Sequence, residues 1–154
     1  MAPPCPGAQA PRVRLTTEWP SREELLALYA SVGWTRYTDS PQALERAVRQ
    51  SSLMVCDRSD SGALLGLARA VSDDVSICYV QDILVRPDAQ RAGVGRALLR
   101  AVLARDAHVM QPVLITDGTP GQLAFYRLLG FHDTRDLKRM PVTCFYRDTR
   151  LDLS

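Results

Sequence analysis

The sequence predicts an α/β (α+β) fold in which a mixed central sheet of about seven strands is flanked by about four helices, in the order β-α-α-β-β-β-α-β-α-β-β. Three observations carry that prediction. Capping and glycine signals bound each helical stretch. Apolar runs separated by short polar turns mark hairpins in the first half of the chain. In the second half, strand and helix patterns alternate, which requires a parallel crossover.

Val13–Thr17 reads as a short first strand. Ser21-Arg22-Glu23-Glu24 is a capping-box pattern, and the helix after it carries Leu25, Leu28 and Tyr29 on one face before stopping at Gly33. An aromatic loop, Gly33–Tyr37, leads to Ser40-Pro41, which opens a second helix with Leu44, Ala47 and Val48 at helical spacing. Leu53–Cys56 and Ala63–Val71 read as a hairpin around Asp60-Ser61-Gly62. After the turn Ser72-Asp73-Asp74, Ile77–Val85 is the longest strand candidate, and its near-continuous apolar character suits a central strand covered on both faces. Arg86–Ala92 is a polar loop, and Gly93-Val94-Gly95 starts a helix bearing Leu98, Ala101 and Val102. Gln111-Pro112 breaks the pattern before a short strand at Val113–Thr116. A helix over Gln122–Leu129 ends at Gly130, and Phe131–Arg135 and Val142–Arg147 read as the last strands. No internal repeat or second domain is visible, so one domain is expected over 13–154.

The 154 residues suit a single domain that buries enough surface to need no disulfide or metal staple. Hydrophobic residues at 46 % and charged residues at 23 % are the balance of an ordinary globular chain. A net charge of +2, with arginines dispersed among acids and Lys138 the only lysine, argues against a nucleic-acid partner. Cys5, Cys56, Cys78 and Cys144 are widely spaced, and the last three sit in apolar, strand-like stretches as small hydrophobes. With only His108 and His132 as nitrogen donors, no metal site is expected. Thiols without a disulfide framework fit a cytoplasmic setting. Met1–Arg12, with three prolines in its first six residues, reads as a disordered tail rather than a signal or a membrane span.

The block Ile83–Arg96 concentrates the chemistry. A strand end is followed by a polar loop and by glycines at the start of an amphipathic helix. Glycines let the backbone approach a phosphate, and first-turn N–H groups with the helix dipole favour an anion. Arg91 and Arg96 could add charge, so the segment suits a pyrophosphate. Other phosphate motifs fail: a dinucleotide fingerprint needs Gly or Ala where Leu98 stands, and no Gly-Lys-Ser/Thr is present.

Gln90-Arg91-Ala92-Gly93-Val94-Gly95 resembles the Q/R-x-x-G-x-G/A signature of the GNAT (GCN5-related N-acetyltransferase) superfamily, and Phe125-Tyr126-Arg127-Leu128-Leu129-Gly130-Phe131 is similar to its F-Y-x-x-x-G-F segment. The likeness in element order runs over about Val13–Arg147, with the specific motifs inside Tyr79–Phe131. It implies a GNAT fold that transfers an acetyl group from acetyl-CoA directly to a primary amine. The pantetheine arm would pair with Ile83, Leu84 and Val85, one of whose amides would polarise the thioester carbonyl. Gln90, Arg91, Ala92, Gly93, Val94, Gly95 and Arg96 would form the pyrophosphate cradle. Tyr126 would protonate the departing thiolate, because a phenol (about 10) holds its proton better than a thiol (about 8.5).

Asp82 is the second candidate catalytic residue. An acid in a central strand needs a reason: it could take a proton from the amine through water, bind a cationic substrate, or be a structural acid. Simple alternation places Tyr79, Gln81 and Ile83 on the face opposite Asp82. Trp34, Arg36 and Tyr37 lie where the family shapes its acceptor site, and a hydrophobic plug is the competing role for Trp34. Asp117 and Thr119 precede the second motif, without the asparagine often found there. The rival readings are an acyl-CoA-binding module without turnover and a transferase acting on charged tRNA. The resemblance also admits a homodimer, with a small molecule or a protein amine as acceptor.

Overall fold

A computed structural model describes residues 13–148. The tail predicted over Met1–Arg12, including Cys5, lies outside the described residues. The chain packs as two compact units, one ending at Ile115 and the other beginning at Thr116.

The first unit is built on a five-stranded sheet whose strands lie side by side in sequence order: β1 (Leu15–Thr16), β2 (Leu53–Arg58), β3 (Leu64–Ser72), β4 (Ile77–Val85) and β5 (Gln111–Leu114). The first four pair antiparallel and β5 joins β4 in parallel. Helix α1 (Arg22–Ser31) starts as its sequence dictates: the Ser21 hydroxyl accepts from the Glu24 amide and the Glu24 carboxylate accepts from the Ser21 amide. One turn, α2 (Thr35–Thr38), forms within the aromatic stretch expected as a loop, because the Thr38 hydroxyl can close it onto the Thr35 carbonyl. Helix α3 (Pro41–Arg49) follows, and α4 (Val94–Arg105) connects β4 to β5.

Both faces of the sheet are covered. On one, Leu25, Leu28 and Tyr29 of α1 and Leu44 and Val48 of α3 join Met54, Cys56, Leu67 and Leu84 in one buried cluster. On the other, α4 lies across β2, β3 and β4. Its approach depends on Gly66 of β3, where an added Cβ would come within 3.0 Å of the Leu84 carbonyl oxygen, 3.1 Å of Leu98 and 3.2 Å of Val94. Ala68 and Ala70 continue the same small-residue face by strand alternation.

The β3–β4 ladder contains an irregularity that alternation does not foresee. Arg69 opposes Asp82 while Ala70 opposes Val80, so Gln81 is an extra residue in β4. Opposed residues in an antiparallel pair share a face, so the pattern changes side at this bulge. Val80 goes with Ala70 toward α4 while Asp82 goes with Arg69 toward α1. Tyr79 therefore shares the face of Asp82, correcting the simple alternation; Ile83 stays opposite.

The second unit contains α5 (Pro120–Leu128), ended by Gly130 at φ +89°, and a single turn at Thr134–Asp136. Among the described residues there are five strands and five α-helices rather than about seven and about four. The two C-terminal strands are the difference. Within Phe131–Arg135, the Asp133 carboxylate takes the Arg135 amide and closes a turn instead. Val142–Arg147 joins no ladder among the described residues and its side chains, Cys144 included, are exposed. The strand expected at Val113–Thr116 begins two residues earlier; Pro112 is tolerated because β5 is the last strand of the sheet. Cys56 and Cys78 are buried as expected.

Candidate active site

The first element is the free edge of β4. Its ladder with β5 runs from Ile77 opposite Gln111 to Val80 opposite Leu114 and goes no further. Beyond that point Ile83, Leu84 and Val85 remain paired with Ala68, Leu67 and Gly66 of β3, and among the described residues no strand pairs with their other edge. A central strand with one edge open over several residues offers backbone groups to an extended ligand.

The second element is the start of α4. Unlike α1, whose first amides are satisfied by its own side chains, α4 begins at Gly93 with no side-chain cap. Gly93 sits at φ +86° and Arg91 at φ +62°, both in the left-handed region. Such turns, followed by an uncapped helix start, gather N–H groups toward one point and form an anion cradle. Arg91, Arg96 and Gly93 are exposed, Ala92 and Gly95 half-buried, and Val94 is buried against the sheet. Space around Gly93 is open, since a Cβ there would touch nothing within 4 Å. The Gln90 side chain points the other way, donating to the Val85 carbonyl at 3.0 Å, and so ties the loop to the strand end. These residues fit a diphosphate group.

The third element surrounds Asp82. Its carboxylate is 2 % exposed. Oδ2 accepts from Arg69 Nε at 2.5 Å and from the Tyr29 hydroxyl at 2.7 Å, and Oδ1 accepts from the Tyr37 hydroxyl at 3.4 Å. Arg69 also donates to the Ala47 carbonyl and the Ser51 hydroxyl. Gln81 Nε2 donates to the Tyr37 hydroxyl at 3.3 Å. The bulge thus lets Gln81 and Asp82, neighbours in sequence, converge on one phenol. Burial and the adjacent Asp82 carboxylate push the Tyr29 and Tyr37 hydroxyls above the usual phenol value, so both remain donors at neutral pH. Burial alone would weaken the hold of Arg69 on its proton; the Asp82 charge reverses that and raises it.

Above this network lie three aromatic rings. Trp34 stacks on Tyr37 with centroids 5.8 Å apart and planes 28° from parallel, and both rings meet Tyr29 edge-on or tilted. Tyr29 is fully buried, Tyr37 half-buried and Trp34 37 % exposed.

In the second unit, Tyr126 is half-buried on α5, with Phe125 and Phe131 edge-on at 5.0 and 6.1 Å. Burial raises its hydroxyl above the usual phenol range against an opposing interaction with Thr116. The Asp117 carboxylate accepts from the Thr119 amide and hydroxyl, forming the turn that launches α5.

Two residues of the Asp82 network were not singled out from sequence, Arg69 and Tyr29. The available signal for Arg69 was a lone cation within the apolar run Ala63–Val71, one strand away from a lone acid. Among the described residues no cluster of metal-ligating side chains occurs, and no helix is long and apolar enough to cross a membrane.

The profile of the "Acetyltransferase (GNAT) domain" family matches residues 17–141. The chain belongs to the GNAT acetyltransferase family. Two curated relatives share the region. One is "Serotonin N-acetyltransferase 2, chloroplastic" from Oryza sativa subsp. japonica, 34 % identical over 125 residues, or 78 % of this chain and 60 % of that protein. The other is "Uncharacterized N-acetyltransferase ycf52" from Porphyra purpurea, 31 % identical over 113 residues, or 70 % of this chain and 63 % of that protein. The chain therefore spans about three-fifths of the length of these relatives. Among solved structures, a GNAT family acetyltransferase from Streptococcus pneumoniae TIGR4 superposes with a TM-score of 0.71 at 29 % identity, over 89 % of this chain and 98 % of that one. In this GNAT chain the open edge of β4 and the start of α4 are where the structure puts the segments Ile83–Val85 and Gln90–Arg96 named in the sequence.

Proposed function

We propose that this GNAT protein transfers the acetyl group of acetyl-CoA to a primary amine in a single step. The observation that carries the reading is the juxtaposition, within one unit, of the unpaired β4 edge at Ile83–Val85 and the uncapped, left-handed start of α4 at Arg91–Arg96. One end suits the amide groups of a pantetheine arm; the other suits a diphosphate. The N-acetyltransferase names of the two relatives support an amine acceptor.

In this reading the amine nitrogen attacks the thioester carbon and the C–S bond breaks. A β4 amide at Leu84 or Val85 stabilises the developing oxyanion. The leaving sulfur takes the Tyr126 hydroxyl proton, which the phenolate regains from solvent, while the newly acylated nitrogen sheds its extra proton to solvent. The raised Tyr126 hydroxyl keeps that proton available at neutral pH. Asp82, with both donors of Oδ2 supplied by the protein, positions Tyr37, which Gln81 also holds, rather than receiving the amine proton.

The test is release of free CoA thiol with acetyl-CoA and a panel of primary amines, with the acetylated product identified by mass. Tyr126→Phe should lower kcat by about 100-fold with little change in KM for acetyl-CoA. On the alkaline side, activity of the parent should fall only above the ordinary phenol range, as the raised Tyr126 hydroxyl ionises, and this high-pH limb should vanish in the variant. Tight binding of acetyl-CoA with no product from any amine would instead favour the binding-only module.

A further inference from the structure

We infer that Gln81 holds the attacking amine, accepting one of its N–H groups at Oε1, and that Asp82 and Tyr37 serve to aim that oxygen. The inference rests on acyl transfer at the β4 edge as proposed above.

The aim follows from where the protons must go. The two oxygens of the buried Asp82 carboxylate can only accept. Oδ2 takes Arg69 and Tyr29, and among the described residues Oδ1 has only the Tyr37 hydroxyl. A buried carboxylate oxygen left without a donor is costly, and a charged acceptor draws a proton more strongly than a neutral amide does. Tyr37 therefore gives its proton to Asp82 and accepts from Gln81. The Gln81 group that can donate is Nε2, 3.3 Å away. With Nε2 turned toward Tyr37, the other end of the planar amide is turned away from it. Among the described residues nothing donates to Oε1, and Gln81 is half-buried rather than sealed in the core.

Position supports the role. Gln81 is the extra residue of the β4 bulge, the first beyond the last rung with β5 and two before Ile83. At about 3.3 Å per residue the two Cα atoms lie about 7 Å apart, within reach of a glutamine side chain. The oxygen thus stands beside the strand segment assigned to the thioester.

An amide oxygen also suits a nucleophile. It takes one N–H and leaves the nitrogen lone pair free for the thioester carbon. As the C–N bond forms, the nitrogen gains positive charge and its N–H groups become stronger donors. An interaction that grows toward the transition state shows in kcat more than in KM. Without Tyr37 the amide could flip and present donors to a nitrogen that needs an acceptor.

The experiment uses the parent, Gln81→Met, Tyr37→Phe and the double variant. Thiol release is measured at saturating acetyl-CoA with a panel of alkylamines, arylalkylamines and a lysine-containing peptide, and the fastest amine is carried through. Calorimetric binding of acetyl-CoA and urea unfolding are followed alongside. Gln81→Met should lower kcat by about 30-fold, change the amine KM by less than about 3-fold and leave acetyl-CoA affinity within about 2-fold. Tyr37→Phe should lower kcat by about 10-fold, and the double variant should be no slower than Gln81→Met, because Tyr37 acts through Gln81. Asp39→Asn, which removes an exposed carboxylate at the end of α2, should stay within about 2-fold of the parent. Parental kcat in Gln81→Met, multiplying losses in the double variant, or an equal loss in Asp39→Asn overturns the inference and leaves amine acetylation standing. A Gln81→Met loss that comes with weaker acetyl-CoA binding or a lower unfolding midpoint makes the residue structural and overturns it as well. A parent that binds acetyl-CoA but acetylates no amine overturns the transfer reading, and the inference with it.

Discussion

At the scale of single residues, the costliest arrangement is the ion pair of Arg69 and Asp82. Side chains 7 % and 1 % exposed give up nearly all their hydration, and only their mutual contact and the Tyr29, Ala47 and Ser51 partners offset that loss. Removing one charge leaves the other buried without a counter-ion. Asp82→Asn should therefore lower unfolding free energy by about 3–5 kcal/mol in urea titrations, whereas replacing both residues by apolar ones of similar size should recover most of it. If Asp82 only positions Tyr37 and Gln81, the folded Asn variant will show no displaced acid limb in its pH–rate profile. The sequence marked Asp82 as needing a reason but could not choose among reasons. That choice turns on which residue stands opposite in β3, and strand register is set by long-range pairing that a linear reading does not contain. Tyr126 was singled out because its neighbours carry a recognisable motif; Tyr29 was not, because a tyrosine on the apolar face of a helix looks like any core aromatic.

At the scale of elements, local chemistry was the better guide. The α1 capping box, the glycine at the head of α4 and the full extent of β4 are all readable from residues close together in sequence. The C-terminal strands failed because apolar content at Val142–Tyr146 supplies propensity but not a partner, and a strand is defined by its partner. Gly66 shows the same limit from the other side. It reads as a weak point in a strand, yet it is where α4 comes closest to the sheet. Gly66→Val should cost about 1–3 kcal/mol in thermal or chemical unfolding, because the Leu84 carbonyl is backbone and cannot move aside easily. The displaced α4 should also raise the KM for acetyl-CoA, which separates this variant from one that merely loosens the core.

At the scale of the molecule, the backbone features proposed to take the acyl donor could be named from sequence, whereas the side-chain network around Asp82 could not. The cradle and the strand edge are built from backbone, whose conformation a few glycines and a strand end announce. That network and the rings beside it are built from side chains of α1, α2 with its cap Trp34, β3 and β4, which meet only once the sheet has formed. The family match over residues 17–141 covers both sets of residues.

The extra residue in β4 gives that division a genetic form. Deleting one residue from a central strand ordinarily turns every later side chain to the wrong face. Deleting Gln81 would turn none, since Val80 would still oppose Ala70, Asp82 would still oppose Arg69, and the β5 rungs all lie before it. A chain shortened by this codon should unfold at nearly the parental urea concentration while acyl transfer, followed by thiol release, collapses. One in-frame loss would then separate inheritance of the sheet from inheritance of the enzyme.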